Sequence, residues 1–486
     1  MLIFKQTICL RRYSKQILIL LSILIALLIY WINPFHVGGE ANKVMAIAVL
    51  MIALWVTEAM PMPAVALLPL VLFPLGGIAS LESTASSFAN PVIFLFMGGF
   101  MLGLAIEKWN LHRRIALNIL RTTGTSGNRI VLGFILATGL ISMWLSNTAT
   151  TMMMFPIAMS VIQVIKENHP GQKGFSNFSL SVMIAIALAS NFGGIATIIG
   201  TPPNVSYAAF FQKKYDYTIS FYNWMIICLP LSLLLLATLY LVMVKWLYPN
   251  YMRSDDTTRG IIHDQVMQLG KFSSAEKRVL VIFICTALLW ITKDLLNKIL
   301  PFRLDDNMIA LMGAITLFIC PAGDKENKPL LGWDDTKKMA WGILLLFGGG
   351  IALASALEKA GLIELLGGWF AQFAFSTLML IFLVTLISVF LSEVMSNVAQ
   401  VIVFAPVVSA LAEAVHIHPL VLGIPMTLAA SCAGMLPMGT PPNAIAFSSG
   451  YIKLKDMTRV GFVMNIISII LITLFGWLVL PMVFKL

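Results

Sequence analysis

The chain has 486 residues, is 59% hydrophobic and only 11% charged, and has a mean hydropathy of +0.90. Soluble domains carry about 25% charged residues, so this composition excludes a soluble enzyme or binding module and marks an integral membrane protein. The net charge of +10 does not indicate a nucleic-acid partner, because the basic residues fall in short loops between apolar runs, where they orient helices.

In chain order, Lys5, Arg11, Arg12 and Lys15 precede an apolar run from Ile17 to Ile32. That run is long for a signal peptide, and Trp31-Ile32-Asn33-Pro34 offers no small-residue cleavage site. An uncleaved first membrane helix at 17–33 is therefore predicted. Apolar runs bounded by turn signals predict ten more helices, at 43–58, 62–79, 91–106, 177–210, 221–247, 277–299, 307–320, 341–357, 419–447 and 458–484. The segment Asn110 to Arg121 is amphipathic and basic, as suits a helix lying along the membrane interface. The polar stretch from Tyr248 to Ala275 is a linker. The five cysteines are scattered without a CxxC pair, which gives neither a disulfide framework nor a zinc site. His416 and His418 flank a loop and are expected to face water.

Two further apolar stretches, 130–165 and 376–412, each run to about 35 residues, too long for one crossing of about 20. Each carries Ser-Asn near its middle. A polar break there suits the tip of a re-entrant hairpin better than the junction of two full crossings. With the N-terminus in the cytoplasm, this arrangement puts 24 of the 32 Lys and Arg residues inside, as the positive-inside rule requires of a cell-membrane protein.

The sequence is duplicated. Ser146-Asn147-Thr148-Ala149 is followed by Gly200-Thr201-Pro202-Pro203-Asn204, and Ser396-Asn397-Val398-Ala399 by Gly439-Thr440-Pro441-Pro442-Asn443. Phe96, Gly98, Gly99, Glu107 and Lys108 recur at a constant offset of 251 as Phe347, Gly349, Gly350, Glu358 and Lys359. Each half holds five spans after the first helix, an odd number, so the second half is inserted upside down. The expected organisation is a cytoplasmic N-terminus and first helix (1–40), a first inverted repeat (41–247), a linker (248–276) and a second repeat (277–486). The hairpins lie at 130–165 and 376–412, and the broken helices at 177–210 and 419–447.

Proline removes a backbone donor and clashes with the preceding turn, so Thr-Pro-Pro inside an apolar run breaks its helix. In hydrocarbon such a break is tolerated only where it is buried in protein or lines a polar cavity. Paired interrupted segments in two halves point to a transporter's binding site. The motifs supply Asn amides, Ser and Thr hydroxyls and freed backbone groups. They contain no Lys or Arg, so an anion held there needs neutral donors aided by bound cations. Glu393, four residues before Asn397, is costly in a membrane; it either serves transport or holds the hairpin. Glu58, at a span end, reads as structural. No nucleophile with a base and no H-E-x-x-H set is present to suggest an enzyme.

At these residues the chain resembles the divalent anion/sodium symporter family, which includes sodium-dicarboxylate and sodium-citrate cotransporters. The resemblance covers nearly the whole chain. It is most specific in Ser142-Met143-Trp144-Leu145-Ser146-Asn147-Thr148, in Ser392-Glu393-Val394-Met395-Ser396-Asn397-Val398 and in the two Thr-Pro-Pro-Asn runs. It implies an all-α polytopic homodimer in the cell membrane, with about eleven transmembrane helices plus two re-entrant hairpins. It also implies import of succinate, malate, fumarate or citrate with co-transported sodium by an elevator motion, without an organic cofactor. By the same resemblance, Ser142, Ser146, Asn147 and Gly200 would surround one sodium ion. Ser392, Met395 (through its backbone), Asn397 and Gly439 would surround another. Asn147, Thr148, Thr201, Pro202, Asn397, Val398, Thr440 and Pro441 would face the substrate carboxylates. Many dicarboxylate carriers have Ser-Asn-Thr in both halves, whereas here the second reads Ser-Asn-Val. Sodium-independent carboxylate exchange, and transport of sulfate or another oxyanion, are the alternatives on the same fold.

Overall fold

A computed structural model describes residues 2–168, 174–252, 256–323, 328–363, 365 and 375–484. Among them the only β feature is an isolated bridge between Pro321 and Pro329; the rest is helix, turn and loop. Among the described residues, ten helices are long and apolar enough to cross a membrane. Two of these, Asn147–Glu167 and Asn397–Ala414, are hairpin arms. The other eight, with the shorter apolar helices Met62–Gly76, Asp306–Ile319 and Pro419–Ala430, account for the eleven predicted crossings.

Local chemistry explains where the helices depart from the predicted spans. The helix expected at 62–79 is two pieces, Met62–Ala66 and Leu68–Gly76. Pro69 cannot donate to the turn before it, and Gly77 ends the second piece at φ +68°, which glycine adopts without a Cβ penalty. Residues 80–90, which lie between two predicted helices, contain a short helix, Leu81–Ala85, followed by a 3₁₀ turn, Ser86–Ala89. Ser80 starts it by accepting a hydrogen bond from Ser83 N. The first helix spans Leu2–Ile32 and packs along Gly39–Thr57, leaving Leu20, Leu24 and Leu28 exposed to face lipid. The linker holds a helix, Asp256–Gln268, that packs on Leu111–Thr123 and on the hairpin arm Asn147–Asn168. Arg114 fixes the end of this linker: its guanidinium donates to Glu276 and to the carbonyls of Leu269, Gly270 and Lys271.

The order of elements recurs. Each half ends with a hairpin, a broken helix and a long helix. In the first half these are Gly127–Ser142 with Asn147–Asn168, Phe175–Gly194 with Pro202–Tyr215, and Phe221–Leu241 continued by a π-helical stretch, Val242–Leu247. In the second they are Thr377–Ser392 with Asn397–Ala414, Pro419–Ala430 with Pro441–Phe447, and Leu454–Phe484. Each hairpin packs on the broken helix of its own half. In the first half the fit depends on glycine: a Cβ at Gly193 would lie 2.3 Å from Gly139 O. The halves also interlock. Pro441–Phe447 packs against both Phe175–Gly194 and the arm Asn147–Asn168, and Pro202–Tyr215 packs against the arm Asn397–Ala414.

Candidate substrate and cation site

All four motifs stand at helix starts. Asn147 and Asn397 begin the second arms of the hairpins, and Pro202 and Pro441 begin the second pieces of the broken helices. The hairpin arms Asn147–Asn168 and Asn397–Ala414 start with backbone N–H groups and positive dipole ends, which favour an anion. Pro202 and Pro203 have no N–H, and Asn204 N donates to Thr201 O, so the helix they begin offers its dipole end alone. The interlocking of the halves brings the second arm of each hairpin beside the second piece of the other half's broken helix. Thr201 and Thr440 occupy the N-cap positions, and only Thr440 caps with its side chain, accepting from Asn443 N at 3.3 Å.

The two Ser-Asn pairs have the same geometry. Ser142 Oγ lies 2.8 Å from Asn147 Oδ1 and 2.8 Å from Ser190 O. Ser392 Oγ lies 2.6 Å from Asn397 Oδ1 and also reaches Ala430 O. In both halves the carbonyl comes from the last turn before the helix break. A serine hydroxyl has one proton and cannot donate to both acceptors. With the proton given to the carbonyl, the hydroxyl and amide oxygens of each pair face one another with no proton between them, a pair of hard donors of the kind that suits a hard cation. Gly200 and Gly439 complete the parallel. A Cβ at Gly200 would lie 2.4 Å from Gly194 O and 3.0 Å from Met143 O, and one at Gly439 would lie 3.4 Å from Leu436 O and 3.6 Å from Glu393 O. Each glycine thus faces the carbonyl of the residue that follows the serine of its own hairpin. Ser146 caps its arm, accepting from Ala149 N at 3.3 Å, whereas Ser396 makes no side-chain cap. Thr148, Val398 and Met395 are half-buried.

The asparagines that close the Thr-Pro-Pro-Asn runs belong to the breaks themselves. Asn204 Nδ2 donates to Thr197 O at 2.9 Å and Gly194 O at 3.3 Å. Asn443 Nδ2 donates to Leu436 O at 3.1 Å and Ala433 O at 3.5 Å. Carbonyls that lost helical partners are satisfied this way, as buried backbone requires.

The hairpin tips are held differently. In the first half Thr197 Oγ1 donates to Met143 O, and Trp144 packs edge-on to Phe283 with ring centroids 4.8 Å apart. In the second, Glu393 is 4% exposed. Its carboxylate accepts from the backbone N–H groups of Gly434, Met435 and Leu436, and from Asn465 Nδ2, at 2.8 to 3.1 Å. Glu393 therefore holds the tip to the break and to the last helix. The tips lie against breaks in the middle of other helices, so the hairpins turn back within the protein. Both His416 and His418 are exposed; His418 caps the broken helix, Nδ1 accepting from Leu420 N.

Sequence reasoning missed one residue. Asn191, 1% exposed, stands in the last turn of Phe175–Gly194. Asn147 Nδ2 donates to its Oδ1 at 3.4 Å, and its own Nδ2 donates to Thr440 Oγ1 at 3.4 Å.

Interlocked halves and a duplicated polar site buried among apolar helices define a polytopic membrane carrier. The chain belongs to the sodium:sulfate symporter family, matching the family's transmembrane region over residues 14–484. It is similar to the sodium-dependent dicarboxylate transporter SdcS of Staphylococcus saprophyticus, with 38% identity over 471 residues, covering 96% of this chain and 91% of the relative. Identity to SdcS of Staphylococcus aureus is 40% over 479 residues, with the same coverage. Among solved structures, Neisseria gonorrhoeae MtrF shares the fold at a TM-score of 0.57 and 13% identity, over 82% of this chain and 83% of that one. The Alcanivorax borkumensis YdaH transporter does so at 0.56 and 13%, over 81% and 87%.

Proposed function

We propose that this protein imports di- or tricarboxylates such as succinate, malate, fumarate or citrate, coupled to sodium. The observation that carries this reading is the duplicated pair of serine hydroxyl and asparagine amide oxygen, with a helix-end carbonyl to take the serine proton. Two hard-cation sites of the same design flank a region of helix starts with no Lys or Arg in the motifs. Bound sodium then supplies the positive charge that a carboxylate needs, and the amides and hydroxyls supply the donors. The first cation falls to Ser142, Ser146, Asn147 and Gly200, the second to Ser392, Met395, Asn397 and Gly439. The carboxylates fall to Asn147, Thr148, Thr201, Pro202, Asn397, Val398, Thr440 and Pro441. The names of the relatives support both ions.

Uptake of labelled succinate into proteoliposomes tests the coupling. An inward sodium gradient is expected to drive it and choline is not; equal uptake in choline would favour exchange. Competition by unlabelled sulfate separates an oxyanion carrier from a carboxylate carrier.

The two halves act as inverted repeats, 41–247 and 277–486, whose hairpins and broken helices move together as an elevator in a homodimer. The interlocking of these elements and the resemblance support this reading. The N-terminus is cytoplasmic, which the distribution of basic residues supports. Cysteines placed at exposed residues near Arg114 and Lys277 should label from the inside and one at Ser83 from the outside; reversed labelling would refute the arrangement.

Val398 is the specificity residue in this reading. Val398→Thr is nearly isosteric and restores the hydroxyl that Thr148 provides in the first half. A hydrogen bond contributes about 0.5–1.5 kcal/mol, or up to about 3 to a charged group. Affinity for succinate should therefore rise several-fold relative to citrate in a competition assay. An unchanged ratio would show that residue 398 does not face substrate.

A further inference from the structure

We propose that Asn191 is a positioning residue that links cation binding in the first half to anion binding in the second, by setting the direction of a hydrogen-bond chain. The inference rests on the sodium–carboxylate reading above and names the physical link between the two ions.

The chain runs Ser142, Asn147, Asn191, Thr440 and crosses from one half to the other. All four side chains lie at the site, and Asn191 and Thr440 are 1% and 4% exposed. An amide side chain offers an acceptor at one end and a donor at the other. Two amides in series therefore have two consistent polarities, and which one holds is set at the ends of the chain.

In the first polarity Asn147 Oδ1 points toward Ser142 and its Nδ2 toward Asn191. Asn191 then donates to Thr440 Oγ1, which also accepts from Asn443 N. Both acceptor positions of that hydroxyl oxygen are filled, so its single proton is left to donate elsewhere. A cation at the first site selects this polarity. It needs Asn147 Oδ1 and a lone pair of Ser142 Oγ, while the Ser142 proton goes to Ser190 O. In the reverse polarity Asn147 Nδ2 donates to Ser142 Oγ, Asn191 presents Oδ1 to Thr440, and the Thr440 hydroxyl spends its one hydrogen bond donating to that Oδ1. Cation binding thus releases a hydroxyl donor for a carboxylate on the other half of the protein.

The second half has no equivalent relay. Ala430 O takes the place of Ser190 O, so Ser431 takes that of Asn191. Its Oγ is buried without a hydrogen-bond partner, and Thr201 makes no side-chain cap. The coupling is built on one side only. At 3.4 Å each amide contact is at the long end of hydrogen-bond geometry, so a modest effect is expected.

Three measurements on the full-length protein test the proposal: succinate KM in proteoliposomes at high and low sodium, thermal stabilisation by sodium without anion, and the same pair for variants. Asn191→Leu should raise succinate KM about two- to tenfold at high sodium, as for one lost neutral hydrogen bond. It should also flatten the dependence of KM on sodium while leaving stabilisation by sodium within about twofold in concentration. Asn191→Asp accepts from both Asn147 and Thr440 and cannot donate to Thr440. It should weaken succinate at every sodium concentration without weakening sodium. Combined with Thr440→Val, Asn191→Leu should cost less than the sum of the single effects. Wild-type KM and sodium dependence in Asn191→Leu, additive effects in the double variant, or parallel losses of sodium and succinate in Asn191→Asp would each overturn the coupling. If Asn191→Leu does not fold, Asn191→Asp and Asn191→Ser decide by the same readouts. Absence of sodium-driven succinate uptake in the wild type would instead remove the functional reading itself.

Discussion

Asn147→Ala and Asn397→Ala are each expected to reduce sodium-driven uptake to near background while leaving the protein folded. In the proposed reading each asparagine gives an amide oxygen to a cation and amide hydrogens to a carboxylate. Losing one buried hydrogen bond to a charged group costs about 1.5–3 kcal/mol, roughly ten- to over a hundredfold in affinity. Here one truncation removes both functions. The fold should survive because other contacts hold the tips: Ser142 to Ser190 O and Thr197 to Met143 O in the first half, Glu393 and Ser392 in the second. Uptake of labelled succinate, with the elution profile in detergent as the folding control, measures both parts. Near-normal uptake by either variant would remove the site assignment.

The largest loss of stability is expected from Glu393→Ala. Its buried carboxylate is the shared acceptor for three backbone N–H groups and the Asn465 amide, of which those of Gly434 and Asn465 are fully buried. A buried donor left unsatisfied costs about 1–3 kcal/mol, so losing a partner for several at once should prevent a stable fold or lower its melting temperature sharply. Glu393→Gln keeps one acceptor oxygen and turns the other end into a donor that faces N–H groups. It should be intermediate. Melting in detergent ranks the three proteins. Because Glu393 O and the carboxylate both border Gly439, the glutamine variant should also need more sodium for half-maximal uptake. A glutamine variant as stable as wild type would mean that the four donors find other partners.

Most of the fold could be read from the chain because membrane helices are written in long apolar runs and their breaks in proline. Thr-Pro-Pro at 201–203 and 440–442 marked both interrupted helices, and Ser-Asn in the middle of two overlong runs marked both hairpins. Features that depend on tertiary partners were harder to read. Glu393 could not be assigned a role because its partners are mostly backbone N–H groups, which have no identity in a sequence. Asn191 sits in an apolar run with no motif around it; only the packing of Phe175–Gly194 on Pro441–Phe447 brings it to Thr440. The roles of Asn204 and Asn443 were hidden for a related reason. They lie inside a quoted motif, yet they serve the carbonyls seven and ten residues before them.

The Glu393 clamp joins a hairpin, a broken helix and the last helix of one half, so the carboxylate travels with all three if they move as one body. Its neutral counterpart in the first half, Met143, carries no charge. Moving one elementary charge through the whole membrane field is worth about 2.3 kcal/mol per 100 mV. If that body moves with the carboxylate ionised, a negative cell interior resists its inward travel and helps its outward return. An empty carrier would therefore reset faster in an energised membrane than in a depolarised one, and the cell's voltage would set the turnover of a protein whose transported ions need carry no net charge.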